Sequence, residues 1–191
     1  RKIRISINIS KEHLLQREFV KEYYQIAKKH KLDPEKIELE ITESAAIDEQ
    51  FNMLEILEEI KKANTIVILT HESPDGDAIG SSLAMEKALR DMGKEPDVII
   101  KEYPRIFNFL PNANKVKEET DVEKYDLAIS LDCADLKRLV GKEYFEEAKK
   151  TIVIDHHGSN TMYGDINFVN PVAPACCEIL IGMFTYFNID I

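Results

Sequence analysis

Three short apolar runs constrain the fold of this chain more than any other feature of its sequence. They read TIVILT at residues 65–70, DLAISL at 126–131 and TIVID at 151–155. Nearly continuous apolar strands of this kind are typical of parallel sheets, because both faces of such a sheet are covered. Helical patterns lie between the runs, as the crossover connections of parallel strands require. The sequence therefore predicts an α/β fold with a mostly parallel sheet flanked by helices on both faces.

The rest of the chain continues the same alternation. A β-branched run at 3–9, a helical pattern and a second strand at 37–42 form an N-terminal βαβ extension, and a further strand is expected at 96–101. The other expected helices cover residues 48–64, 78–92, 142–150 and 174–187, the last beginning at Pro174.

The charge balance bears on the partners that the chain can bind. The 191 residues include 35 acidic and 25 basic side chains, for a formal net charge of -10. Coating the backbone of a long nucleic acid requires a surplus of Lys and Arg, so that function is not expected. A short nucleotide in one local pocket remains compatible with the composition.

Cysteine usage and hydropathy bear on the compartment. The three cysteines include the adjacent pair Cys176 and Cys177, so a disulfide framework is not expected and a reducing cytoplasm fits better. No apolar run approaches the roughly 20 residues of a membrane span, and no signal peptide is evident. We therefore expect a cytoplasmic protein with no membrane partner. Because the chain begins at Arg1 without methionine, we also expect a fragment or a trimmed chain.

Acidic and histidine side chains follow each of the three apolar runs where the strand is expected to end. In open parallel sheets ligands bind beyond the carboxyl ends of the strands, so these side chains are expected to converge. Imidazoles and carboxylates are ligands of divalent cations of the Mn, Mg and Zn range. The set comprises His71, Asp75 and Asp77 after the first run, Asp132, Asp135 and Arg138 after the second, and Asp155, His156 and His157 around the end of the third.

Two interpretations of these strand ends remain open. In the simpler one, the loop is a turn in which Asp77 only caps the following helix. The adjacent histidines at the end of a buried strand are harder to explain by packing. In the second interpretation, two divalent cations roughly 3.5–4 Å apart clamp a phosphoryl group, and an Arg or a further His stabilises the developing charge. The pattern therefore favours metal-assisted phosphoester hydrolysis.

Three segments carry a resemblance to a known family. HESPDGDAIGS at 71–81, DCAD at 132–135 and DHHGSN at 155–160 resemble the DHH family of phosphoesterases, and most of all its oligoribonuclease and cyclic-dinucleotide phosphodiesterase branch. NPVAPACCE at 170–178 is also similar to that family. The resemblance covers residues 53–191. It implies a phosphodiesterase that uses two Mn²⁺ ions, with Mg²⁺ as an alternative, to hydrolyse short oligonucleotides or cyclic dinucleotides.

The resemblance also implies a role for each matching residue. One cation would be held by His71 and Asp75, and the other by Asp77 and His156, with Asp132 between the two as a ligand and catalytic group.

Further residues of the motifs are implied to support the reaction. Asp155 would orient a histidine, and His157 would act in catalysis. Arg138, Ser159 and Asn160 are candidates for contacts with the substrate.

The chain departs from the family pattern in two respects. The family carries a further aspartate ligand well beyond the DHH triplet and a C-terminal substrate-binding domain with a glycine-rich stretch. This chain ends at Ile191 before either. The resemblance therefore predicts a C-terminally truncated phosphoesterase domain at 53–191 whose turnover is in question, so that its status as an enzyme is left open.

The first 52 residues carry a different resemblance. INIS at 7–10 and ELEITES at 38–44 resemble EAL domains, which are cyclic di-GMP phosphodiesterases on a TIM-like barrel. Asn8 and Glu40 would match metal ligands and Glu43 a loop-supporting carboxylate, but too little of the family pattern is present to assemble an EAL site. We expect a natural or engineered chimera joined in the helix near 51–60. A chance similarity of βαβ units is the alternative to a chimera. In a chimera, the Glu40 carboxylate could replace the late aspartate ligand that the DHH family carries beyond its triplet.

Three functions follow from these patterns. The first is a metal-dependent phosphodiesterase of short oligonucleotides or cyclic dinucleotides. The second is a chimeric scaffold that keeps the motif residues without turnover. The third is a nucleotide-binding or sensory module that docks a partner through the EAL-like segment. A homodimer is an open alternative to a monomer.

Overall fold

The computed structural model describes residues 5–9, 19–30, 32–33, 36–41 and 46–189. The chain divides into two compact units, Arg1–Phe51 and Asn52–Ile191. Among the described residues, no helix combines the length and the apolar character that crossing a membrane requires.

The first unit contains a parallel βαβ arrangement. Strand β1 (Ile5–Ile9), helix α1 (Phe19–Lys29) and strand β2 (Ile37–Ile41) follow one another along the chain. The two strands pair in parallel, with Asn8 opposite Glu40 in the register. The predicted N-terminal extension therefore has the expected topology.

The second unit is built on a five-stranded sheet in which every neighbouring pair is parallel. The strand order is β4-β3-β5-β6-β7. One α-helix connects β3 to β4 and another connects β5 to β6, whereas the connection from β6 to β7, which the structure describes throughout, contains no helix. This architecture confirms the predicted fold class. Its elements are α2 (Ala46–Lys62, which contains the division between the units), β3 (Ile66–Leu69), α3 (Gly76–Asp91), β4 (Asp97–Ile99), β5 (Leu127–Leu131), α4 (Lys142–Glu147), β6 (Lys150–Asp155), β7 (Ile166–Val169) and α5 (Cys176–Phe187).

The apolar runs are continuous because each strand packs on both faces. In β3, Ile66 and Ile68 join the larger core with residues of α3 and α5. The alternate residues Val67 and Leu69 join a smaller core on the other face, with Phe145 of α4. Successive side chains of a strand point to opposite faces, so both positions of the pleat must be apolar when both faces are covered.

The strand order determines where a site can form. Strand β3 lies between β4 and β5, so the chain first extends the sheet on one side of β3 and then on the other. Loops at such a reversal leave a crevice at the carboxyl ends of the two strands. The loops after β3 and β5 flank this crevice, and the loop after β6 follows at the same edge.

Three elements differ from the sequence-based expectations. Strand β7, Ile166–Val169, is not indicated by the apolar patterning, because an edge strand of alternating burial is short and contains a polar residue. Helix α5 begins at Cys176 with Ala175 as its cap, so Pro174 lies before the helix and is not its first residue. The helix expected at 142–150 ends at Glu147, because the following residues turn into β6.

Candidate metal centre

The loop after β3 is anchored to the start of α3 by Asp75. Its Oδ1 accepts hydrogen bonds from the backbone N–H groups of Asp77 at 2.9 Å and Ala78 at 3.1 Å. This is the geometry of a helix N-cap. The capping role that the simpler interpretation gave to Asp77 therefore belongs to Asp75.

Asp77 instead fastens α5 to α3. Its Oδ2 accepts from the backbone N–H of Cys176 at 2.7 Å, and its Oδ1 from that of Cys177 at 2.9 Å. Burial acts to raise the pKa of Asp77, but hydrogen bonds from Cys177 and Cys176 and the nearby His156 outweigh it and lower that pKa. Each carboxylate oxygen has a second lone pair, so these bonds leave Asp77 able to bind a cation as well.

Two histidines have their rings fixed by backbone carbonyls. His71 Nδ1 lies 2.7 Å from the carbonyl oxygen of Glu72, and His156 Nδ1 lies 3.3 Å from that of Ala173. A carbonyl only accepts, so the proton of each neutral ring is assigned to Nδ1 and the lone pair to Nε2. The two Nε2 atoms lie 3.8 Å and 3.4 Å from the carboxylate oxygens of Asp132. Both histidines are thus oriented as metal ligands are, with the second ring nitrogen held by a backbone acceptor.

Asp132 is the buried centre of the group. It directly follows β5 and is only 2% exposed. Its Oδ1 has no hydrogen-bond partner among the described residues. Burial and the charges of Asp77 and Asp75 raise the pKa of Asp132 to about 6, against a smaller lowering by the two histidines of the DHH triplet. A buried carboxylate oxygen without a hydrogen bond is costly, and a bound cation would offset that cost.

The ligand atoms converge in two overlapping groups. One contains His71, Asp75 and Asp132, and the other contains Asp132, His156 and His157; within each group the ligand atoms lie within 4.8 Å of one another. Asp132 belongs to both groups. Nitrogen and oxygen donors of this kind suit a divalent cation of the Mn or Mg type more than a soft one.

Asp77 lies at the edge of these groups. Its Oδ2 is 3.7 Å from His156 Nε2, which in turn is 3.4 Å from Asp132 Oδ1. The structure thus brings Asp77 beside the second group, while its oxygens also hold the first turn of α5.

His157 is paired with a fully buried carboxylate. Its Nδ1 lies 2.8 Å from Asp155 Oδ1 and 3.6 Å from Asp132 Oδ1. Burial acts to lower the pKa of His157, but the hydrogen bond to Asp155 and the charges of Asp155, Asp132 and Asp75 raise it. Because Asp155 occupies Nδ1, the free ring nitrogen of His157 is Nε2. The side chain is 44% exposed, so that nitrogen can meet a ligand.

The three predicted substrate contacts differ in their placement. Arg138 is exposed beside the site, with its Nε 3.7 Å from Glu72 Oε1. Ser159 is also exposed. The Asn160 amide nitrogen donates to Asp155 Oδ2 at 2.6 Å and to the carbonyl oxygen of Cys133 at 3.2 Å. Asn160 therefore lies behind the histidine pair and is engaged within the protein.

Two clefts meet at Arg138. The smaller has a volume of about 330 Å³ and contains the strand-end carboxylates and histidines. The larger, about 620 Å³, is lined by three basic and four acidic side chains and shares only Arg138 with the first. The convergent ligand atoms lie in the smaller cleft, which is therefore the candidate site.

Several groups of the site carry little signal in the sequence. The carbonyl of Ala173 and the N–H groups of Cys176 and Cys177 are backbone atoms that any residue would supply. Tyr163, whose hydroxyl lies 2.6 Å from Ser130 Oγ, is likewise absent from the predicted set. Ser130 does leave a trace, because it is a polar residue inside an apolar strand.

The residues of the EAL-like resemblance lie in the first unit. The register pairs Asn8 with Glu40, but their side chains, like Glu43 as a whole, lie outside the described residues. The roles of Asn8 and Glu40 as metal ligands, and of Glu43 as a loop-supporting carboxylate, stay predictions.

Comparison with known proteins gives consistent similarities. Residues 65–190 match the family model described as the DHH family, N-terminal domain. The bifunctional oligoribonuclease and PAP phosphatase NrnA of Thermus thermophilus is 36% identical over 145 residues, which are 72% of this chain and 42% of that protein. The cyclic-di-AMP phosphodiesterase PdeA of Listeria monocytogenes is 25% identical over 66% of this chain and 22% of that protein.

A solved structure shares the fold. An exopolyphosphatase-related protein from Bacteroides fragilis aligns with a TM-score of 0.66 and 25% identity, over 72% of this chain and 44% of that one. The chain spans about two fifths of the length of the NrnA relatives that it matches. The family match covers well over half of the chain and includes every strand of the five-stranded sheet. This chain therefore belongs to the DHH family, of which it contains the N-terminal domain.

Proposed function

We propose that this chain is the metal-binding part of a phosphoesterase that hydrolyses the phosphodiester bonds of short oligonucleotides or cyclic dinucleotides with two divalent cations. One observation carries the proposal. Asp132, buried and with an unpartnered Oδ1, is shared by two groups of metal-type ligands at the carboxyl edge of a parallel sheet. Bridging carboxylates of this kind occur where two cations act together.

The residues fit such a pair of cations. His71 and Asp75 with Asp132 would hold one, and His156 and Asp132 with Asp77 beside them would hold the other. When bound, divalent cations neutralise charge on the phosphoryl oxygens and supply a nucleophilic hydroxide near neutral pH. We propose Mn²⁺ as the working ion, with Mg²⁺ as the alternative, because the ligands are imidazoles and carboxylates.

His157 is proposed as a catalytic residue that does not bind metal. The hydrogen bond between its Nδ1 and Asp155 favours the imidazolium form, which can contact a phosphoryl oxygen or donate a proton from Nε2 to the departing oxygen. Arg138 lies at the junction of the two clefts and can meet a second phosphate. Ser159 is proposed as a further substrate contact from the exposed side of the same loop.

The proposed substrates are short. The chain resembles an oligoribonuclease and a cyclic-di-AMP phosphodiesterase, which supports a nucleotide substrate. A cleft of about 330 Å³ is at the lower end of the range for small-molecule sites, which fits one nucleotide at the chemistry better than a long strand. The net charge of -10 further disfavours long nucleic acids.

The test is hydrolysis of a linear diribonucleotide and of a cyclic dinucleotide during a Mn²⁺ titration. We expect turnover that requires Mn²⁺ and is lost in Asp132→Asn, since that side chain serves both cations. The matched control is Asp91→Asn, which changes an exposed carboxylate paired with Lys87 on α3 and should leave turnover unchanged.

The scaffold alternative gives a different result in the same assay. A fold that keeps the ligands without turnover would bind Mn²⁺ in an Asp132-dependent manner and hydrolyse neither substrate. That outcome would reject hydrolysis by this chain and retain the metal centre. Turnover that is equal in Asp132→Asn and in the unmodified chain would reject the assigned site itself.

The N-terminal unit is proposed as a separate, EAL-like fragment of residues 1–52 joined to the DHH domain in a chimera. The parallel pairing of Asn8 with Glu40 is compatible with that resemblance. If Glu40 completes a metal site, Glu40→Ala should weaken Mn²⁺ binding, whereas unchanged affinity would reject that role.

Tight binding of cyclic di-GMP would support the sensory alternative. Light scattering would distinguish a homodimer from a monomer.

A further inference from the structure

Asp132 has a backbone conformation that its own side chain does not explain. Its φ is +53°, in the left-handed region that residues other than glycine seldom adopt. Such conformations persist where the surrounding structure holds them, and they are frequent at functional sites. The carboxylate of Asp132 cannot supply the restraint through its Oδ1, which has no hydrogen-bond partner among the described residues. The backbone N–H of Asp132 donates to the carbonyl oxygen of Ile154 at 3.1 Å, which holds one side of the turn, and the contacts of Ser130 and Cys133 offer further restraint.

Tyr163 contacts the chain on both sides of Asp132. Its hydroxyl donates to the carbonyl oxygen of Cys133 at 2.9 Å. The same hydroxyl lies 2.6 Å from Ser130 Oγ on β5. Because the carbonyl can only accept, the phenol proton belongs to that bond and Ser130 donates to the phenol oxygen. Burial raises the pKa of Tyr163, so the phenol stays protonated and keeps this polarity.

Asn160 binds the same carbonyl and extends the connection to the histidine pair. Its Nδ2 donates to the Cys133 oxygen at 3.2 Å and to Asp155 Oδ2 at 2.6 Å, while its Oδ1 accepts from the N–H of Met162 at 2.7 Å. Both donors and the acceptor of the amide are thus engaged. Asp155 in turn holds His157 at 2.8 Å.

We propose that Tyr163 and Asn160 are positioning residues that clamp the turn at Asp132 through the Cys133 carbonyl, and so set the affinity of the metal centre. This inference rests on the proposed metal-binding function. It gives Asn160 a role inside the protein in place of the predicted substrate contact. The clamp joins the turn after β5 to the loop after β6, so it fixes the two loops relative to one another.

Tyr163→Phe is the sharpest test, because it removes one hydroxyl and keeps the ring that packs against Phe145 at a centroid distance of 5.4 Å. We expect Mn²⁺ affinity, measured by calorimetry on the full chain, to fall by about 10-fold to 100-fold, the usual effect of removing a group that orients metal ligands. Asn160→Ala removes the second donor and should weaken Mn²⁺ binding as well.

The matched control is Tyr144→Phe. Tyr144 packs against the same small core, but its hydroxyl donates to the carbonyl of Thr120 at 3.3 Å and does not contact the Asp132 turn. We expect Tyr144→Phe to lose a similar amount of thermal stability and to bind Mn²⁺ as the unmodified chain does. Circular dichroism establishes that each variant is folded before its affinity is compared.

The outcomes separate this inference from the proposed function. If the unmodified chain binds Mn²⁺ and folded Tyr163→Phe and Asn160→Ala bind it equally well, the clamp is only structural and the inference is wrong. If Tyr163→Phe does not fold, Asn160→Ala decides by the same criterion. If the unmodified chain itself does not bind Mn²⁺, the proposed metal centre fails, and the clamp fails with it.

Discussion

Replacing Asp132 with asparagine should stabilise the metal-free protein at neutral pH and abolish its response to divalent cations. Burial, followed by the charges of Asp77 and Asp75, raises the pKa of Asp132 from 3.8 to about 6. A raised carboxyl pKa means that the folded state binds the proton more tightly than the unfolded chain does. Ionisation of Asp132 therefore destabilises the fold.

The magnitude and the pH window follow from that pKa. At about 1.4 kcal/mol for each tenfold difference in proton affinity, the penalty is about 3 kcal/mol above pH 6. It is absent below about pH 4, where both states carry the proton, and it grows between about pH 4 and pH 6. The new amide introduces donors that are only partly satisfied, which offsets about 1 kcal/mol or more of the gain.

Urea unfolding in the presence of a chelator measures the effect. We expect the free energy of unfolding of Asp132→Asn to exceed that of the unmodified chain by about 1–2 kcal/mol near pH 7.5, and the two values to agree within error near pH 4. Adding Mn²⁺ at 100 times its Kd should then stabilise the unmodified chain by about 2.7 kcal/mol and leave the variant unchanged. The control Asp91→Asn should alter stability by less than about 0.5 kcal/mol at either pH and retain the Mn²⁺ response. A variant that is less stable than the parent at neutral pH, or one that Mn²⁺ stabilises equally, would refute this reasoning.

Three further predictions concern other parts of the chain. Gly141 has a φ of +71°, and an added Cβ would lie 3.1 Å from the Leu69 side chain. Gly141→Ala should therefore lower the free energy of unfolding in urea by about 1–2 kcal/mol, and an unchanged midpoint would contradict this. Burial acts to raise the pKa of Asp97, but hydrogen bonds, first that from Lys117, outweigh burial and lower that pKa. The ionised carboxylate therefore stabilises the fold above about pH 4, and this stabilisation is lost as the pH falls through the lowered pKa. Asp97→Asn should therefore lower the Tm at pH 7 by a margin that shrinks in acid, and a constant margin would argue against it. Arg138→Ala should raise the KM for a dinucleotide while stability changes by less than about 0.5 kcal/mol, and a larger loss of stability would indicate a structural role.

The sequence predicts the sheet well because its central strands are covered on both faces. Burial of both positions of the pleat leaves runs such as TIVILT, which are easy to recognise. Strand β7 has one neighbour and alternating burial, so its four residues carry too weak a pattern. The strand order is also not encoded locally, since it depends on which side of β3 each crossover packs.

In the candidate site, too, features encoded by local sequence are predictable, and features that depend on tertiary contacts are not. The chemical types of its side chains can be read from the strand ends, and the structure brings His71, Asp75, Asp132 and His156 together. Their hydrogen-bond partners cannot be read in that way. The Ala173 carbonyl that orients His156 is a backbone group 17 residues further along the chain. The start of α5 is also set by a distant group, because the Asp77 carboxylate in the first turn of α3 accepts from the backbone N–H groups of Cys176 and Cys177.

Asn160 illustrates the limit of reasoning from a motif alone. The Asn160 amide within the DHHGSN motif is compatible with a contact to the substrate or with a hydrogen bond that orients the metal ligands, and the motif does not distinguish the two. The structure brings its Nδ2 to Asp155 and Cys133, because the loop after β6 folds back over the turn at Asp132. Such a contact depends on the tertiary path of two loops, which no local pattern specifies.

The most direct test of the central claim is electron paramagnetic resonance of the chain loaded with Mn²⁺. Two cations that share Asp132 should give the multiline spectrum of an exchange-coupled Mn²⁺ pair, and Asp132→Asn should abolish it. A spectrum of isolated Mn²⁺ only, or a coupled spectrum that persists in Asp132→Asn, would contradict the assignment of a two-cation centre around this residue.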